Sequence, residues 1–218
     1  MSLPGMTGAI AGSGAASVAF TTRFLCRFTS NPPVDEISGN SGTVVGNPTI
    51  NTGSSEIVLD GTGDWVTFAG GTQFDPTTNW TIEWHTNQAA AQVGGCLSRA
   101  ISGTSRYVPY CNGSGGMQWY GTPSAFGPAS GVLNGTMKHF AYVRDGGTWR
   151  FYVDGVQQAS TANSGAPAPD AATTFYIGTD VFDAAGRDVA ATMSRVKISN
   201  IALYPSGTTF TPPSRTSA

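Results

Sequence analysis

From Asn79 to Thr86 apolar and polar side chains alternate: Trp80, Ile82 and Trp84 fall on one side, Thr81, Glu83 and His85 on the other. A period of two predicts a strand of an antiparallel sheet with one face buried. The strongest such signal lies between Met137 and Gly155, where Lys138–Arg144 and Thr148–Val153 flank Asp145-Gly146-Gly147. Those turn residues tolerate the positive φ that a tight hairpin requires. In the second strand Trp149, Phe151 and Val153 share one face and Arg150 and Tyr152 the other. Asp154-Gly155 then turns the chain into a further strand, Val156–Ala159.

The same reading predicts a first strand in Val18–Phe28, anchored by Phe20, Phe24 and Phe28, and short strands at Thr43–Val45, Glu56–Leu59 and Trp65–Phe68. Gly, Pro and Asn punctuate each break. Val93–Arg99 and Tyr107–Cys111 form a predicted hairpin around Ser102-Gly103-Thr104, followed by strands at Met117–Tyr120, Thr174–Thr179 and Met193–Ser199. Thr29–Gly42, Thr122–Gly135, Ala162–Ala172 and Asp180–Val189 read as loops. There is neither a helical period nor an internal repeat. Many short strands at regular turn spacing predict an all-β fold, a two-sheet antiparallel jelly-roll sandwich spanning residues 18–218. Residues 1–17, MSLPGMTGAIAGSGAAS, have no periodicity and read as an extended Gly/Ala-rich N-terminal arm.

Three ordered motifs resemble one family. Leu59-Asp60-Gly61-Thr62-Gly63-Asp64-Trp65-Val66 with Trp80-Thr81-Ile82-Glu83-Trp84 is similar to its early strands. The string HFAYVRDGGTWRFYVDG, residues 139–155, is similar to its signature hairpin. Ser194–Ser199, Ile201-Ala202-Leu203-Tyr204 and Phe210-Thr211-Pro212-Pro213 are similar to its closing pattern. Together these segments resemble the laminin-G-like, concanavalin A-like lectin/glucanase jelly-roll domains over roughly residues 20–213. The resemblance implies the concanavalin A-like sandwich. It leaves function open, because that fold hosts lectins, hydrolases, adhesion modules and virion proteins.

Charged residues make up 11% of the 218-residue chain and the net charge is −2, against about 25% charged in an ordinary soluble domain. No basic patch for nucleic acid and no basic amphipathic segment for a membrane surface follows from that balance. No apolar run is long enough to span a bilayer as a helix, and the N-terminus lacks the basic start of a signal peptide. Synthesis in a cytoplasm is therefore the expectation. The three cysteines, Cys26, Cys96 and Cys111, read as buried thiols; whether Cys96 and Cys111 pair is open.

Glycoside hydrolysis needs two carboxylates about the scissile bond. Laminarinase-type relatives place several acids on alternate positions of one strand, whereas the nearest match here, Glu83-Trp84-His85-Thr86-Asn87, offers one. Only Glu36, Glu56 and Glu83 exist in the chain, and no nucleophile elbow accompanies His85 and His139. His139 reads as a structural histidine, and no catalytic residue is assigned. The chain is expected not to be an enzyme, and no cofactor is expected to be required.

Laminin-G-like and pentraxin-like relatives often bind calcium through loop carboxylates. That resemblance makes Asp180, Asp183 and Asp188 the candidate ligands, although Met193 and Ser194 stand where the family often carries an acid. The plainer reading is a solvated loop whose aspartates cap turns. Glycan binding would use aromatic faces beside polar groups, and the candidates are Tyr107, Tyr110, Trp119, Tyr120, Tyr142, Arg150 and Tyr152. Aromatic residues of a sandwich also fill its core.

Two functions follow as expectations. One is a non-enzymatic structural or adhesion protein of a virus particle, a tailed-phage decoration, knob or fibre component at the virion surface. This rests on the sparse charge, the arm and the likeness to phage-encoded domains ending in Ala202-Leu203-Tyr204 and Phe210-Thr211-Pro212-Pro213. Its partners would be other copies of itself in a homo-oligomer, other virion proteins reached by the arm, and cell-surface glycans. The alternative is a stand-alone calcium-dependent carbohydrate-binding module.

Overall fold

A computed structural model describes residues 22–76, 78–100, 106–121, 126–128, 130–163, 165, 172–180, 187–205, 207 and 209–217. The arm at residues 1–17, Phe20, the turn Ser102-Gly103-Thr104 and Asp183 lie outside the described residues.

In chain order the strands are β1 (Thr22–Cys26), β2 (Thr43–Val45), β3 (Thr49–Asn51), β4 (Glu56–Asp60), β5 (Trp65–Phe68), β6 (Asn79–Asn87), β7 (Val93–Gly95) and β8 (Leu97–Ala100). They continue as β9 (Arg106–Asn112), β10 (Met117–Gly121), β11 (Lys138–Asp145), β12 (Thr148–Val153), β13 (Val156–Ala162), β14 (Phe175–Ile177) and β15 (Ala190–Ser199). One 3-10 turn, Thr72–Phe74, is the sole helical element among the described residues. Strand β3 lies outside the sequence expectation: it is short and exposed at both ends, so no alternation marks it. The expected strand Val93–Arg99 is two strands, broken at Cys96.

Two antiparallel sheets result. The larger runs β13-β12-β11-β6-β15-β4-β3, with β1 also paired to β15. The smaller runs β10-β9-β8-β14-β5-β2, with β7 paired to β9. The fold is the all-β, two-sheet sandwich that the strand pattern predicts. The central hairpin is present, with Tyr142 opposite Phe151 and Arg144 opposite Trp149; Asp145, expected in the turn, ends β11 opposite Thr148.

The alternating positions of β6, β11 and β12 deliver Trp80, Ile82, Trp84, Phe140, Tyr142, Trp149 and Phe151 to the inner face, all fully buried. The smaller sheet answers with Tyr107, Cys111, Met117 and Trp119. Trp119 sits at the centre, its ring 4.9 Å from Trp149, 5.1 Å from Tyr142 and 5.4 Å from Tyr107. Removing one such ring costs about 3–5 kcal/mol, the transfer loss plus an unfilled cavity. All three cysteines are buried free thiols. Cys96 Sγ and Cys111 Sγ lie 3.4 Å apart on the inner face, each donating to Gln88 Oε1 at 3.2 Å.

Candidate functional site

At the centre of the larger sheet the outward positions of β6 and β11, Thr81, Glu83, His85, His139, Ala141 and Val143, do not face solvent. Residues 201–205 and 209–217 run back across them as a strap. Glu83 on β6 is 1% exposed and accepts from Tyr204 Oη at 2.8 Å, Arg195 Nη1 at 2.9 Å and His139 Nε2 at 3.1 Å. Arg195 reaches the carboxylate because β15 bulges there: pairing with β6 slips between Ser194 and Lys197, and Arg195 has φ 41. A bulge of this kind re-aims one side chain.

Burial alone would raise the Glu83 carboxyl. The His139 hydrogen bond, Arg195 and Tyr204 outweigh it and hold the group at about 2. The strap is fixed by main chain as well. Leu203 N–H donates to Thr81 Oγ1 at 3.0 Å, His85 Nε2 to the Pro213 carbonyl at 3.1 Å and Arg195 Nε to the Ser217 carbonyl at 2.9 Å. Tyr152 lies on the outward face, as alternation predicts, but is buried under Tyr204 and Phe210, whose rings stack at 3.5 Å. The part of this face over β6, β11 and β12 is closed by its own chain, and the Glu83 carboxylate there is committed to three donors.

The smaller sheet carries the open feature. On β9 the parity that turns Tyr107 and Cys111 inward turns Arg106 and Tyr110 outward, and on β10 Trp119 points in while Tyr120 points out. Tyr110 and Tyr120 lie with ring centroids 6.2 Å apart. The Arg106 guanidinium carbon lies over the Tyr120 ring, 4.5 Å from its centre, and that of Arg187 over the Tyr110 ring at 5.2 Å. Arg187 also donates to the Tyr110 hydroxyl. These four residues and Asp180 line a cleft of about 90 Å3.

Two glycines allow this convergence. A Cβ at Gly94, whose φ is +152, would stand 2.5 Å from the Arg187 carbonyl oxygen, and one at Gly95 would stand 2.9 Å from Asp180 Cβ. Gly95 N–H donates to the Arg187 carbonyl at 3.1 Å, which pins that segment against β7 and so beside Tyr110, the partner of Gly95 on β9.

Of the seven glycan candidates, the structure therefore brings together Tyr110 and Tyr120. Tyr107, Trp119 and Tyr142 are core residues, because their strand positions face the opposite sheet, and Tyr152 is covered by the strap. Arg150 sits apart on β12, half-buried and bonded to Asp145 at 3.2 Å. Arg106 and Arg187 were not among the sequence candidates. Arg106 shares the outward parity of Tyr110 and was legible on that ground; Arg187 arrives from a distant loop.

Of the calcium candidates, Asp188 Oδ2 accepts from the Gly63 amide at 2.8 Å, and Asp180, 4% exposed, lines the arginine cleft. No group of three or more His, Cys, Asp or Glu suited to a metal occurs among the described residues.

A family described as the Concanavalin A-like lectin/glucanases superfamily, of laminin-G-like type, matches residues 60–206, more than half of the chain. The chain belongs to this superfamily. Its fold is a lectin/glucanase-like one, and its first β-strands and the end of the strap lie outside the matched segment. No curated protein matches the chain in sequence.

Solved structures with the same fold are distant. Domain 4 of AbnA, a GH43 extracellular arabinanase from Geobacillus stearothermophilus in complex with arabinotriose, superposes with TM-score 0.68 at 16% identity, over 86% of this chain and 96% of that one. The receptor-binding domain of a botulinum neurotoxin C/D mosaic serotype gives TM-score 0.65 at 10% identity, over 84% of this chain and 48% of that one. A Trypanosoma rangeli sialidase gives TM-score 0.61 at 18% identity, over 83% of this chain and 31% of that one. This superfamily member thus spans about half the length of the toxin domain and a third of that of the sialidase.

Proposed function

We propose that this chain is a non-catalytic glycan-binding module whose binding face is the cleft that Asp180 and Arg187 line with Arg106, Tyr110 and Tyr120 of β9 and β10. One observation carries the reading: Tyr120, 45% exposed, and Tyr110 stand beside two arginines that lie over their rings, on the outward face of the smaller sheet. Aromatic faces bury the apolar side of a sugar ring, while fixed polar groups at the rim sort its hydroxyls. The fold shared with the arabinotriose-bound arabinanase domain supports the same class of ligand.

The absence of catalysis is supported by the state of Glu83, which is saturated by Tyr204, Arg195 and His139 beneath the strap. No second acid accompanies it on that face of β6, where His85 and Asn87 follow. Binding is proposed to need no calcium, since the cleft's own donors are guanidinium and phenol groups. Titration of the full chain against a panel of oligosaccharides, with and without a chelator, tests the reading. Saturable binding that Tyr120→Ala abolishes and chelation leaves unchanged supports it; no binding to any saccharide refutes it.

An adhesion or decoration role on a virus particle is the second reading. It is favoured by the sparse charge, 11% of residues, and by the Gly/Ala-rich stretch at residues 1–17, suited to docking along a neighbouring subunit. The cleft would then face host glycans from a homo-oligomer. Light scattering on the full chain and on one lacking residues 1–17 tests it. A defined oligomer that falls to a folded monomer supports this role, and two monomers count against it.

A further inference from the structure

We infer that two copies of this chain pair edge to edge through β13, antiparallel about a two-fold axis, so that their larger sheets run on as one. β13 belongs to the larger sheet and the cleft to the smaller, so this pairing rests on neither functional reading above.

An open sheet edge presents unpaired N–H and C=O groups to any other strand, and folded proteins shorten, charge or cover such edges. Most edges here are managed in that way. β2, β3 and β7 are three residues each. β10 is covered by Phe126, whose main chain exchanges hydrogen bonds with Trp119 at 2.8 and 3.2 Å. β1 is met by Asp35 and Glu36, which bond the Leu25 N–H at 3.2 Å and its carbonyl at 2.8 Å. β13 closes the larger sheet with seven residues, VQQASTA, that include no charge and no proline.

The register shows which groups it offers. Asn163 N–H donates to the Gly147 carbonyl at 2.7 Å. Main-chain groups alternate from side to side along an antiparallel strand. Ala159 and Thr161 therefore face β12, while Ser160 and Ala162, both exposed, turn their N–H and C=O to the open side. The bulge opposite Phe151 and Tyr152 precedes Ala159 and leaves Ala159–Ala162 in regular register. Among the described residues, the side chain that bonds this strand's main chain is that of Gln158, donating to the Val156 carbonyl at 3.2 Å.

The occupant that fits is a second copy. A two-fold axis through Ser160 sets Ser160 against Ser160 and Gln158 against Ala162, and a charged residue near it would meet its own kind. None stands there. Arg150, beside Ser160 on β12, is paired with Asp145 of its own chain at 3.2 Å. From Gln157 to Ala162 the side chains are neutral and mostly small, which suits self-pairing and gives a charged foreign strand nothing to select.

The test is sedimentation of the full chain, and of a chain lacking residues 1–17, over a concentration series. Both should show one monomer–dimer equilibrium with the same dissociation constant. A contact this short belongs to the weak class that buries less than about 1,200 Å2, so the dimer should appear at high micromolar concentration. Ser160→Lys and Ser160→Glu should each weaken it at least ten-fold with an unchanged thermal midpoint, and mixing the two variants should restore it. Ser160→Pro removes an outward N–H without touching a bond to β12 and should also prevent pairing.

A monomer at every concentration overturns the inference. So does a dimer that the Ser160 variants leave as tight as the parent, which would place the contact elsewhere. A dimer lost with residues 1–17 would be mediated by the arm, and one gained on their removal would make the arm the strand that covers β13. Either result overturns pairing with a second copy, and neither touches saccharide binding, which Tyr120→Ala tests by itself.

Discussion

Tyr204 and Glu83, 121 residues apart in sequence, meet through a 2.8 Å hydrogen bond in which the phenol donates to a carboxylate 1% exposed to solvent. That contact ties the end of the chain to the centre of the larger sheet. A hydrogen bond to a buried charge is worth about 1.5–3 kcal/mol, and breaking a buried ion pair by removing one partner about 3–5 kcal/mol. Tyr204→Phe should therefore cost about 2 kcal/mol, and Glu83→Gln, which strands Arg195, about twice that. Denaturant unfolding measures both, and limited proteolysis should show residues 201–217 cut first in each variant.

A main-chain contact holds the same strap from the other side. Gly155 has φ +77, its carbonyl accepts from Phe210 N–H at 3.0 Å, and a Cβ there would stand 1.9 Å from the Phe210 carbonyl oxygen. Gly155→Ala should displace the strap without touching Glu83. It should expose the 201–217 amides to hydrogen exchange while strands β6 and β11 stay protected. Uniform loss of protection would mean that strap and sheet unfold as one unit.

Acid should loosen this face before it unfolds the sandwich. His85 is pushed from 6.5 to about 3, first by burial and then by its neighbours His139 and Arg195. Its Nδ1 has no partner among the described residues, so a proton there would bury an unpaired donor. The unfolded chain binds that proton more readily, so stability falls as pH drops from about 6.5 toward 3. Glu83, lowered from 4.5 to about 2, adds its loss as pH falls through that lower window. The thermal midpoint should thus decline below pH 6.5 and steepen below 4.5, and His85→Gln should flatten the upper part of the decline.

The sheets and the central hairpin were legible because alternation is a local signal: a period of two in β6 and β12 assigns Trp80, Ile82, Trp84, Trp149 and Phe151 to one face without any knowledge of the partner strand. The strap was not, because nothing near Tyr152 announces that Tyr204 and Phe210 return to cover it. The candidate site was half legible. Trp119 and Tyr120 are adjacent in one strand and must face opposite ways, but which of them faces the core depends on the opposing sheet. Arg187 joins Tyr110 only through the close approach that Gly94 and Gly95 permit.

The thiols should be silent in the native state. Cys26 is pushed up to about 12 by burial, and burial with the adjoining Cys111 holds Cys96 well above its ordinary value. Since the thiolate is the reactive form and neither sulfur meets solvent, a thiol reagent at pH 8 should modify none of the three cysteines until denaturant is added. Reaction of Cys96 or Cys111 in the folded protein would show that β7–β9 open on their own.

The adjacent residues Trp119 and Tyr120 offer the sharpest separation of fold from function. Trp119 is fully buried among Trp80, Tyr107, Tyr142 and Trp149, and Tyr120 is 45% exposed at the cleft mouth. Trp119→Ala should lower stability by about 3–5 kcal/mol, as large-to-small changes in a packed aromatic core do. Tyr120→Ala should stay within about 0.5 kcal/mol of the parent, the range of surface substitutions. It should nevertheless lose saccharide binding, since it removes both the ring beneath the sugar and the surface that orients Arg106. Measured side by side, denaturation and binding should respond in opposite order. A Tyr120→Ala protein that binds as the parent does would move the ligand away from this face of β10.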